Sequence, residues 1–109
     1  MMDARLFLFQ RLSAIVMIPL VFGHLGMMIY AIQGGLSAEE ILSRTRGSVF
    51  WAAYYGLFVV AVSIHGAIGF RTILFEWAGV RKQGLFLVFW GVLAILLATG
   101  LRAVWAVIA

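Results

Sequence analysis

Residues 47–70 read GSVFWAAYYGLFVVAVSIHGAIGF, 24 positions without one aspartate, glutamate, lysine or arginine. A helix needs about 20 apolar residues to cross a bilayer, and this run exceeds that. Two further charge-free runs flank it: Leu12 to Ala38, with 27 residues, and Gln83 to Leu101, with 19. Strands of a membrane barrel alternate in polarity over about ten residues, whereas these runs are continuous and about twice as long. The pattern predicts an all-α membrane protein whose three transmembrane helices lie near 12–32, 49–70 and 84–106, in a single domain over residues 1–109.

Composition points the same way. Of the 109 residues 65% are hydrophobic and 11% are charged, against about 45–50% and about 25% in soluble domains. So short a chain buries proportionally little of its surface, so a water-soluble enzyme is excluded. The absence of cysteine excludes disulfides, thiolate metal sites, iron–sulfur clusters and covalently attached c-type haem.

The connections fit three spans. Gln33-Gly34-Gly35 closes the first, and Ser37-Ala38-Glu39-Glu40 has the form of a capping box opening a short amphipathic helix. Leu36, Ile41 and Leu42 are expected to lie on the membrane surface there. Gly79 ends a short extension of the second span, and Val80-Arg81-Lys82-Gln83 turns into the third. Gly84, Gly91 and Ala98 recur at heptad spacing and read as a packing stripe. Pro19 is expected to kink the first helix.

Lysine and arginine set the orientation. The N-terminal segment and the 71–82 connection carry Arg5, Arg11, Arg71, Arg81 and Lys82; the opposite side carries Arg44, Arg46 and Arg102. Five against three places the N-terminus in the cytoplasm (or matrix) and the C-terminus outside, in an inner or cytoplasmic membrane. The net charge of +4 is thereby topological, and no nucleic-acid partner is implied. A cleaved signal peptide is disfavoured, because the first apolar core is too long for one and a histidine interrupts it.

Ionisable groups inside a membrane are costly and mark function. The chain has two histidines, His24 and His65, and both fall inside predicted spans. Gly23 and Gly26 flank the first; Gly66 and Gly69 follow the second, with Ala61, His65 and Gly69 on one helix face. Small residues there leave room for a flat macrocycle. His65 lies six residues from Arg71 and His24 thirteen from Arg11, or about 9 Å and about 20 Å from the same boundary. One iron does not bridge that difference of roughly 11 Å without a steep tilt. Each imidazole calls for a partner from another chain, and bis-histidine b-type haem is the natural cofactor.

The segment Ser63-Ile64-His65-Gly66-Ala67-Ile68-Gly69-Phe70-Arg71, followed by Glu76-Trp77, resembles the His-x-x-x-Gly-(Ile/Phe)-Arg segment of succinate dehydrogenase and fumarate reductase cytochrome b membrane anchors. Gln10-Arg11-Leu12-Ser13-Ala14 is similar to the His-Arg-x-Ser-Gly segment that opens their first helix. The resemblance covers the whole chain, and it implies that His65 is an axial ligand of haem iron. It also implies a quinone pocket near Arg11, with Ser13 a weaker candidate, and a place for the chain in electron transport and the tricarboxylic acid cycle. Two positions depart from the family: Phe7 stands where its quinone-contacting serine would be, and Gln10 replaces its histidine. The additional His24 looks more like di-haem anchors, in which the first two helices each supply a ligand. The chain is then half of a heterodimeric helix bundle, with a second anchor subunit, an iron–sulfur subunit and a flavoprotein as partners. Arg11 and Arg71 on one side, and Arg44, Arg46 and Arg102 on the other, are candidates to pair haem propionates. Dicarboxylate chemistry would belong to the flavoprotein, since the chain has no flavin or nucleotide motif. The rival reading is a cofactor-free structural or assembly subunit of another membrane complex. A transporter is disfavoured, because all four acids fall outside the spans.

Overall fold

The computed structural model describes residues 4–109 and consists of α1 (Ala4–Gly34), α2 (Ala38–Thr45), α3 (Val49–Ala78) and α4 (Lys82–Ile108). No strand occurs among the described residues. α1, α3 and α4 are each long and apolar enough to cross a membrane, so the architecture is all-helical with three candidate spans. Its extents of 48 × 23 × 22 Å fit a bilayer of about 40–45 Å with its headgroups.

The helices outrun the predicted spans at their charged ends. α1 starts at Ala4, eight residues before the charge-free run, and α3 continues past Arg71 to Ala78. Backbone hydrogen bonding does not stop at an arginine, whose long side chain can bring its charge out to the interface. α3 stops at Gly79, which adopts φ +66° in the left-handed region and donates its N–H to the Leu74 carbonyl. Pro19 lies within α1 and does not interrupt it.

α3 is the centre of the bundle, packed against α1 on one side and α4 on the other. α4 packs tightly on α3 at Gly100, where an added Cβ would lie 2.6 Å from a Val59 methyl. The expected stripe does not make this contact: Gly91 and Ala98 are exposed. Among the described residues only Leu20, Ala61, Ala67, Ile68 and Leu85 form a buried apolar core. Phe22, Val49 and Trp77 are 70–85% exposed, which places lipid or protein, not water, around the bundle.

α2 forms as the capping pattern requires. Ser37 Oγ accepts the Glu40 N–H at 3.1 Å, and the Glu40 carboxylate lies in the space a side chain on Gly35 would need. Thr45 Oγ1 donates to the Val107 carbonyl at 2.7 Å, and the Gly47 N–H to the Ile108 carbonyl at 2.7 Å. Leu36 is exposed, but Ile41 and Leu42 are half-buried, and Ile41 turns into the bundle beside His24. Asp3 lies outside the described residues; Glu39 and Glu40 sit on α2 and Glu76 on the exposed end of α3.

Candidate functional site

The two histidines occupy different surroundings. His65 faces α1, with Nδ1 3.4 Å from Ser13 Oγ. Ser13 is buried, and its hydroxyl donates to the Gln10 carbonyl at 3.0 Å. A serine has one proton to give; with that proton on Gln10, Oγ meets the imidazole as an acceptor. The proton of a neutral His65 then sits on Nδ1, which leaves the Nε2 lone pair for a metal. Fixing the tautomer in this way is what an outer partner of a metal-bound histidine does.

Gln10 completes the cluster. Its side-chain amide covers Gly69, where an added Cβ would lie 3.5 Å from Nε2, and its Oε1 is buried without a partner. The Ala61–His65–Gly69 face is therefore not bare: Ala61 is buried, and Gln10 and Ser13 lie over the other two positions.

His24 is framed by rings instead. Phe58 and Tyr55 meet it edge-on at centroid distances of 5.3 and 6.2 Å, and Trp51 stacks on Tyr55 at 5.5 Å. Its Nδ1 is buried without a hydrogen-bond partner. An unpaired polar atom at such depth is costly unless something outside the chain meets it. Beside it lies a mostly apolar groove of about 430 Å3 lined by Met27, Met28, Tyr55 and Arg44, among others. Arg44 donates to the Gly35 carbonyl at 3.1 Å and lies 5.4 Å over the Tyr30 ring, so its charge is held at the groove.

Neighbouring glycines have different uses. Gly23 admits Tyr54, whose hydroxyl donates to the Leu20 carbonyl and lies 2.5 Å from where a Gly23 Cβ would be. Gly26 has open space around it. Only Gly26 keeps the role of leaving room beside His24.

The level of each histidine follows from its contacts. Ser13 is opposite His65, and His24 lies eleven residues further along α1, about 16 Å. Measured on α3, Phe58 beside His24 is seven residues from His65, about 10 Å. The two histidines therefore sit at levels about 10–16 Å apart along the bundle.

The arginines separate as well. Arg11 is exposed, with its guanidinium 5.4 Å over the Phe7 ring, whereas Ser13, two residues on, is buried against α3. Arg71 instead lines a cleft with Arg5 and Lys82, and no histidine lines it. Arg102 is exposed, and so is Arg46, just past the end of α2. The family model for the succinate dehydrogenase/fumarate reductase transmembrane subunit matches residues 2–101. The chain belongs to this family. A relative from Archaeoglobus fulgidus, the succinate dehydrogenase hydrophobic membrane anchor subunit, is 35% identical over 78 residues. That match covers 71% of this chain and 66% of the relative, so just under two thirds of the relative's length is spanned. No solved structure matches.

As a membrane anchor of this family the chain is a multi-pass membrane protein, with three helices to cross the bilayer. The family assignment sets aside an assembly subunit of an unrelated complex. Gln10, Tyr54, Phe58 and the Arg5–Lys82 pairing belong to these surroundings but were not singled out as site residues from sequence. Only Gln10 carried a usable signal, since it stands where the family motif has histidine.

Proposed function

We propose that this chain is a haem-b-binding anchor of a succinate:quinone oxidoreductase, with His24 and His65 as axial ligands of two separate haems. The observation that carries this is the pair of intramembrane imidazoles held at levels 10–16 Å apart. Haem, when bound, accepts and passes on single electrons. His65 would offer Nε2, with Ser13 holding the Nδ1 proton and Gln10 closing the interface over Gly69. His24 would be steadied by Phe58 and Tyr55, and its unpaired Nδ1 and adjoining groove fit a ligand brought by a neighbour. Arg44 would meet a propionate there, since it is the cation lining that groove.

This chain offers one imidazole at each level, so a second anchor subunit would supply the opposing ligands. Electrons would arrive from an iron–sulfur subunit served by a flavoprotein. Arg11, exposed on α1 and steadied by Phe7, would donate hydrogen bonds to a quinone carbonyl where the partners meet this surface. Ser13 is turned away from that surface and is given to His65 instead. The N-terminus would lie on the cytoplasmic (or matrix) side.

Visible spectra of the purified complex, oxidised and reduced, test this. Noncovalent b-type haem is expected, extractable with acidified solvent. A complex with full subunit content and no Soret band would refute it. Expression of this chain alone giving a low-spin bis-histidine spectrum would refute the shared ligation.

A further inference from the structure

Where α1 begins, α3 nears its end and α4 begins, a cleft of about 480 Å3 is lined by Arg5, Arg71 and Lys82. Three different helices supply one cation each, and none of the three has a hydrogen-bond or ion-pair partner among the described residues. Among the described residues no acid lines the cleft with these like charges, and bringing them together costs free energy unless an anion joins them.

The rest of the cleft is apolar. Ile64 and Ile68 of α3 and Phe89 of α4 continue the wall below the cations. Arg71 is seven residues from Ile64 and Lys82 seven from Phe89, so the wall extends about 10 Å from the charged end along the helices. Positive charge at the interface above a hydrocarbon wall matches an anionic amphiphile. A neutral ring would leave three charges unmet. Haem is not the occupant, since no histidine lines the cleft and His65 is turned onto Ser13.

We infer that this cleft binds an anionic phospholipid, its phosphodiester between Arg5, Arg71 and Lys82 and an acyl chain along the Ile64–Phe89 wall. Basic pockets between transmembrane helices take anionic headgroups in this way, and the bilayer supplies the ligand. The site is independent of haem binding at either histidine.

The test uses the intact purified complex in detergent, titrated with fluorescent phosphatidylglycerol or with phosphatidylcholine of the same acyl chains. Wild type should bind phosphatidylglycerol at least tenfold more tightly. The Arg5→Gln/Lys82→Gln pair should weaken it roughly thirtyfold, about fivefold per charge removed, and weaken phosphatidylcholine far less, because its choline already offsets the phosphodiester charge. The Arg5→Lys/Lys82→Arg pair should stay within about twofold of wild type, because charge is kept. If the neutral pair does not assemble, Arg5→Gln alone should show the fivefold loss. Equal binding of the two lipids, unchanged binding in the neutral variants, or displacement by a short-chain quinone would each overturn the assignment.

Discussion

Replacing Ser13 with alanine removes one oxygen atom from the α1–α3 interface and leaves His65 in place. In the structure that oxygen lies 3.4 Å from Nδ1 and has already given its proton to Gln10. Alanine therefore deletes an acceptor and frees the imidazole to rotate or change tautomer. Outer partners of metal-bound histidines are typically worth 10–100-fold in metal affinity, but this contact is long and uncharged. A net neutral hydrogen bond contributes about 0.5–1.5 kcal/mol, and at 3.4 Å the lower part of that range applies, a loss of about two- to fivefold. A less basic imidazole stabilises the oxidised iron less, so the midpoint potential should rise. For a one-electron couple a two- to fivefold change corresponds to about 20–40 mV. Redox titration of the Ser13→Ala complex should show one component shifted upward and the other unmoved. Ser13→Thr, which keeps an acceptor oxygen, should return the shift towards zero. Wild-type potentials and full haem content in the alanine variant would refute the role given to Ser13, and a shift confined to the component lost in His24→Ala would misplace it.

Three further outcomes follow from the same geometry. His65→Ala should remove one redox component and His24→Ala the other, each leaving its neighbour largely intact; loss of the same component in both would put the two histidines on one haem. Gly23→Ala should cost about 1–3 kcal/mol by overpacking against Tyr54, seen as faster thermal inactivation in detergent. Tyr54→Phe in the same chain should recover part of that, because the nearest atom is the hydroxyl oxygen; no recovery would mean the strain lies elsewhere. Gly79→Ala should lower thermal stability by about 1–2 kcal/mol, since the left-handed φ of +66° is closed to most side chains, and unchanged melting would contradict that.

Much of the fold could be read without coordinates because a bilayer leaves its mark in composition. Three charge-free runs announced three helices, and Ser37 with Glu40 announced α2. The start of α1 was missed where charge was used as the boundary, since Arg5 and Arg11 sit inside it, whereas Gly79 marked the extension of α3 past Arg71. Both histidines were legible as rare ionisable groups in apolar runs. Their surroundings were not, because they depend on how α1 is set against α3. Nothing in the run containing Tyr54 indicates that its hydroxyl reaches Leu20, so Gly23 was read as space for a ligand. Arg11 and Ser13 are neighbours in a motif, but two residues turn a helix by about 200°, and they serve opposite faces.

The tie between α2 and α4 has a consequence for how the molecule is made. Thr45 and Gly47 donate to carbonyls of Val107 and Ile108, some sixty residues later in the chain. Of the four helices α4 leaves the ribosome last, so α2 is held only through Arg44 at the end of α1 while the first two spans are entering the bilayer. The edge of the His24 groove formed by Ile41 and Thr45 stays unfastened through that interval. Insertion of the final helix thus supplies the two carbonyls that complete the docking of α2, and the fold around His24 is finished only when the last residues are in place.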